Sequence, residues 1–218
     1  MSAETVHTVI DDLGALLLFT MILILAAGQI YRAIYAVAAQ SLLIAVAGGV
    51  LAAATGNVEL WVIAGITLAV KAVVLPWVLH RVVQRMNVQR EVESVIPVAA
   101  TLALAVAVVV MAFHLSASLG LVRQAITGNA LPVGIALTLL GVLVMATQKK
   151  ALNQMVGLFA SENGIFFTAM AVTNGMPLII EIGVILDVIL AALVMTIMVL
   201  RVRSTVDADI ADLSRLRG

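Results

Sequence analysis

Cysteine is absent from the 218 residues. That excludes disulfides, thiolate chemistry and Cys-ligated iron–sulfur clusters within this chain. Charge is also scarce: Asp, Glu, Lys and Arg make up 11% of the sequence, against about 25% in soluble domains. Only three histidines occur, scattered at His7, His80 and His114 with no ligand-like spacing, which argues against a metal site. There is no phosphate-binding loop, no nucleophile elbow and no basic–aromatic stripe suited to nucleic acid. The N-terminal stretch MSAETVHTVIDD is acidic and lacks the basic region of a secretory signal, so the first apolar segment is expected to be retained as a helix.

What is abundant is apolar surface. Hydrophobic residues form 63% of the chain and the mean hydropathy is +1.19. The expected class is all-α: a polytopic membrane helical bundle forming one integral-membrane domain over 1–218. A span needs about 20 apolar residues. Seven are predicted, near 13–29, 33–54, 59–82, 95–117, 130–147, 151–173 and 177–200. Thr55-Gly56-Asn57 and Thr173-Asn174-Gly175 read as turns, and Gln29–Arg32, His80–Glu93, Ser116–Asn129 and Gln148–Lys150 as the other breaks. Pro97, Pro132 and Pro177 fall where first helical turns are expected, positions that tolerate a missing N–H.

Basic residues alternate between the breaks. Arg32, then Arg81, Arg85 and Arg90, then Lys149 and Lys150, then Arg201, Arg203, Arg215 and Arg217 share one side; Arg123 alone is on the other. The positive-inside rule puts the N-terminus outside and the C-terminus in the cytoplasm. A gapless shift of 118 residues superposes spans one–three on five–seven, pairing Arg32 with Lys150, Thr55 with Thr173, Gly65 with Gly183 and Arg85 with Arg203. The expected organisation is a parallel repeat: a first three-helix unit (1–93), a linking helix four (94–129), a second unit (130–203) and a cytoplasmic tail (204–218).

Ionisable groups inside the spans are the sharpest functional signal, because a charge in hydrocarbon costs at least about 2.5–3.5 kcal/mol. Glu162 lies near the centre of span six, among Gly157, Ala160, Ser161, Asn163 and Gly164. A carboxyl group held there could take up and release a proton near neutral pH. Asp187 is at similar depth in span seven. Glu181, one turn past Pro177, is six residues away, so the two point roughly 120° apart. Glu181 is thus a possible relay group or a subunit contact. Lys71 is midway along span three, with Pro76 five residues on. The proline removes the hydrogen bond to the Ala72 carbonyl and should kink the helix beside the lysine. Lys71 is either a switchable proton carrier or a fixed ion-pair partner of Glu162 or Asp187. Gln40-Ser41 in span two read as interhelical hydrogen-bond groups, with Gln40 a further relay candidate. No catalytic residue is expected.

At these residues the chain resembles the membrane subunit family hydrogenase-4 component E. The resemblance is carried by Tyr31-Arg32 with Gln40-Ser41, by Lys71 before Leu75-Pro76, and by Gly157 with Glu162-Asn163-Gly164. Glu181-Ile182-Gly183 before Asp187 and the closing Leu216-Arg217-Gly218 add to it. Spans five–seven are more distantly similar to the K-type subunit of respiratory complex I and the C-type subunit of multisubunit cation/proton antiporters. Those families place a glutamate directly after a Gly-Leu pair; here Phe159 follows Gly157-Leu158, and Glu162 comes one turn later. The resemblance implies an accessory subunit in the prokaryotic inner membrane, within a complex I-like hydrogenase or a related proton or sodium translocator. Its partners would be antiporter-like membrane subunits and a hydrogenase membrane anchor. Nickel–iron and iron–sulfur centres would reside in those partners, with no cofactor in this chain. Glu162, Asp187 and Lys71 would contribute to a midplane relay. The rival readings make the chain a structural spacer, its buried charges serving only to tie helices together, or a subunit of a non-redox multisubunit cation/proton antiporter.

Overall fold

The computed structural model describes residues 3–85, 94–118 and 129–173. The described chain is all-helical. It comprises α1 (Ala3–Leu25), α2 (Ile30–Thr55), α3 (Val58–Thr67), a π-helical stretch (Leu68–Val74), α4 (Leu75–Arg85), α5 (Val98–Ser118), α6 (Ala130–Thr147) and α7 (Ala151–Thr173). Several of these elements are long and apolar enough to cross a membrane: α1, α2, the continuous rod 58–81, α5 and α6. The expected seventh span, the expected tail and residues 86–93 and 119–128 lie outside the described residues.

The helix ends follow local chemistry. Val6, Ile10 and Leu13 are buried at spacings of four and three, so the apolar stripe carries α1 through Glu4, Asp11 and Asp12. The helix therefore begins well before residue 13, where hydropathy alone puts it. α2 stops at Gly56, whose φ of 69° is the left-handed cap that favours glycine; its N–H reaches the Ala52 carbonyl at 2.9 Å. Asn57 then caps α3, its side-chain oxygen accepting from the Glu59 N–H at 2.9 Å. The Thr-Gly-Asn segment is the turn its sequence predicts. Arg32, expected in a break, instead sits in the first turn of α2, where its N–H and that of Ala33 both bond the Gln29 carbonyl.

The expected disturbance before Pro76 takes the form of a π-helix. The Leu75 N–H bonds the Val70 carbonyl, five residues back. A proline cannot donate and its ring crowds the carbonyl four residues earlier, so the ladder widens in the turn that precedes it.

α1 and α2 pair on one side, and α6 and α7 on the other, with α1 packing on α6 and α2 on α7. α5 flanks α6 and α1. The α3–α4 rod flanks α2. The two flanking elements are the least enclosed: 22% and 17% of their most apolar windows are buried for the rod and α5, against 56% for α2 and 61% for α6. Their outward faces, including Trp61, Val62, Val106 and Val110, are those a bilayer would cover.

The closest approach is between α6 and α7. Glycines recur seven residues apart on each, at Gly134 and Gly141 and at Gly157 and Gly164. A Cβ at any of the four would come within 3.0 Å of the facing helix: at Gly141 it meets Ser161, at Gly164 Thr138, at Gly134 Thr168, and at Gly157 Gly141 and Met145. Small residues of this kind let backbones touch where lipid supplies no hydrophobic drive. Gly141→Ala and Gly164→Ala should therefore each destabilise the protein by about 1–3 kcal/mol. Gly28→Ala, with nothing within 4 Å of the added carbon, should be near neutral. Thermal unfolding in detergent distinguishes them; equal melting temperatures for all three would contradict the packing argument.

Candidate functional site

α7 carries an unusual load for a buried helix. Asn153, Ser161, Glu162 and Asn163 are all buried along it. The helix holds these polar groups because its neighbours supply partners at each level. Glu162 and Asn163, successive in sequence, point roughly 100° apart and engage different helices.

Glu162 faces the π-helical stretch. Its Oε1 lies 2.9 Å from Lys71 Nζ, and both side chains are only 5% exposed. The lysine also sits over the Phe166 ring, 4.8 Å from its centroid. Phe166 follows Glu162 by one turn, so a single face of α7 presents a carboxylate and an aromatic face to the same ammonium. A ring quadrupole attracts a cation by about 2 kcal/mol when the site is desolvated. The two expected midplane groups of opposite sign are thus direct partners.

Asn163 faces α2. Its Nδ2 donates to Gln40 Oε1 at 3.2 Å and to Ser41 Oγ at 3.1 Å. Gln40 is fully enclosed, and its own Nε2 lies 3.9 Å from Met21 Sδ on α1. On the far side of α7, Ser161 Oγ donates to the Thr138 carbonyl of α6 at 3.1 Å. Three consecutive residues of α7 therefore tie it to α6, the π stretch and α2 in turn.

Sequence reasoning singled out Lys71, Glu162 and Gln40, and the fold brings them into one polar layer around α7. It read Ser41, with Gln40, as an interhelical hydrogen-bond group, and did not assign roles to Asn163 or Phe166. Asn163 was legible only as a neighbour of Glu162, and Phe166 only as a residue one turn away. Glu181 and Asp187 lie outside the described residues. His80 is half-buried at the far end of the rod, against Tyr31 at 4.9 Å between ring centroids. Among the described residues no three His, Asp or Glu side chains gather as a metal site.

An enclosed ion pair is costly to halve. Removing one partner strands the other charge, at about 3–5 kcal/mol, whereas replacing both by apolar groups is often tolerated. Lys71→Met and Glu162→Leu should each lower stability by that order, and the double variant by clearly less than their sum. A double-mutant cycle on unfolding in detergent measures this; additive losses would mean that the two groups do not depend on each other.

No family model matches this chain, and no solved structure matches it. The sequence is 36% identical over 152 residues to the uncharacterised protein Rv0085 of Mycobacterium tuberculosis, an alignment covering 69% of each chain.

Proposed function

This chain belongs to one family with that mycobacterial protein, and we propose that it is an accessory membrane subunit of a complex I-like hydrogenase or related redox-driven ion translocator. In this reading Glu162 and Lys71 form a midplane proton or ion relay. The carrying observation is the enclosed Lys71–Glu162 pair at 2.9 Å. A carboxylate and an ammonium in contact can pass a proton, giving a carboxylic acid and an amine, without changing the net charge buried in the bilayer. The Gln40–Asn163–Ser41 cluster extends the polar layer across α2. Asp187 is the expected next group, with Glu181 a further relay group or subunit contact. Redox centres would be in partner subunits, consistent with a chain that has no cysteine.

The topology proposed is seven spans in the inner membrane, N-terminus outside, built as two parallel three-helix units. In that arrangement α1 corresponds to α6 and α2 to α7, and each of these pairs packs together.

One observation favours the rival spacer reading. Lys71 has both a carboxylate and an aromatic ring around it, as a permanent tie would. The two readings separate on Glu162→Gln, which keeps shape and hydrogen bonding but removes the titrating proton. For a relay, ion-coupled turnover of the assembled complex should fall by about 100-fold or more, the low end of a general acid–base contribution. Assembly and hydrogen evolution from an artificial donor should stay intact. Normal coupling in a Glu162→Gln, Asp187→Asn double variant would refute the relay and leave the spacer. Reporter fusions after Arg90 and after Ser204 should read cytoplasmic and one after Thr55 external; any other pattern overturns the orientation.

A further inference from the structure

We propose that the rim between α2 and α4 binds the headgroup phosphate of an anionic phospholipid, with Arg32 and Arg81 as its cationic ligands and Tyr35 and Trp77 as interfacial anchors. The proposal rests on the membrane-spanning reading above and is independent of the relay.

Depth is the first argument. Beyond Tyr35, α2 runs for about 20 residues to Thr55, and the rod runs for about 20 from Val58 to Trp77. At 1.5 Å per residue each matches a hydrocarbon core of about 30 Å. Tyr31, Arg32 and Tyr35 on one helix, and Trp77, His80 and Arg81 on the other, therefore fall in the same layer, just where headgroups begin. Side chains confirm the register. The His80 ring lies 4.9 Å from that of Tyr31 and 6.4 Å from that of Tyr35, and Gln84 Nε2 sits 2.9 Å from His80 Nε2.

Exposure and shape come next. Tyr35 is 62% exposed and Trp77 56%, and Arg32 and Arg81 are exposed beside them. Amphipathic rings of this kind favour the membrane interface. The Arg81 guanidinium carbon lies 4.4 Å from the centre of the Trp77 ring. A guanidinium over an aromatic face can still offer N–H donors, and its planar fork matches a phosphate. A soluble anion would satisfy the arginines but leave both rings in water; a phospholipid covers the rings with its glycerol and upper acyl carbons.

Charge separation along the helices completes the case. Among the described residues, the acids other than Glu162, namely Glu4, Asp11, Asp12 and Glu59, lie in the N-terminal halves of α1 and α3, away from this rim. Arg32, Arg81, Lys149 and Lys150 share this end with no described Asp or Glu near them in sequence. Basic pockets between spanning helices on the cytoplasmic side are fitted to anionic headgroups.

The test uses the full chain purified in detergent, with native mass spectrometry after adding phosphatidylglycerol or phosphatidylcholine of identical acyl chains. The wild type should retain phosphatidylglycerol preferentially. Arg32→Gln/Arg81→Gln should cut that retention about tenfold or more, as expected for two basic residues near a headgroup. Arg81→Gln alone should give an intermediate loss, and Lys149→Gln/Lys150→Gln should leave retention within about twofold. Equal retention of the two lipids by the wild type would overturn the proposal. So would equal losses in the two double variants, which means diffuse charge, or full displacement of the lipid by equimolar inorganic phosphate, which means a soluble anion. Alkaline washing of cell membranes separates the premises. A chain released by it fails the membrane reading and this proposal together. A chain that stays but shows no lipid preference fails the proposal alone.

Discussion

The enclosed ion pair between Lys71 and Glu162 sets how the two sides of this bundle meet. Each charge alone would be intolerable in hydrocarbon, so neither helix can slide along the other without stranding one of them. The α3–α4 rod packs along α2, with the His80 and Tyr31 rings 4.9 Å apart at one end. The 2.9 Å contact from Lys71 to Glu162 of α7 adds a charged constraint on the same register. Apolar packing supplies cohesion here, while a polar contact supplies position.

That contact depends in turn on how tightly α7 is held from behind. The glycines of α6 and α7 bring the two backbones together, and Ser161 bonds the Thr138 carbonyl across the seam. With one face pressed on α6, the next residue must present Glu162 to the π stretch, and the next must present Asn163 to α2. The run Ser161-Glu162-Asn163 is thus read out by helical rotation as three bonds to three different elements. Glycine spacing and polar run are one device, because without the close seam the azimuth of the carboxylate would not be fixed.

Much of this was legible in the sequence, for identifiable reasons. The boundaries of α6 and α7 coincide with the apolar runs 130–147 and 151–173, because short polar breaks bound them on both sides. The turn at Gly56 follows from its Thr-Gly-Asn chemistry. Lys71 and Glu162 stood out because buried charge is rare, and pairing was one of the alternatives that Lys71 allowed. The start of α1 was missed because Val6 and Ile10 form an amphipathic stripe, which a search for unbroken apolar runs does not detect. The π stretch was legible only as a proline effect, since nothing in the residues from Leu68 to Val74 distinguishes a widened turn from a kink. Asn163 and Ser41 could not be paired from sequence, because they are 122 residues apart on separate helices, α7 and α2.

Stability by itself gives a weak account of why such a pair is kept. A buried ion pair is often no better for folding than two well-packed apolar side chains, and the α2–α7 contact shows that this protein can tie helices with neutral groups such as Gln40, Ser41 and Asn163. What neutral groups cannot do is change charge. In the proposed relay, internal proton exchange between Lys71 and Glu162 leaves the buried net charge at zero, so that step strands no uncompensated charge. Protonation of Glu162 from elsewhere would instead leave a lone ammonium. The Phe166 ring, 4.8 Å below it, is a partner whose attraction does not depend on the state of the carboxylate. The site therefore holds the cation in two ways. In the proposed relay only the contact to Glu162 would change as protons move, whereas a permanent tie would leave both contacts in place.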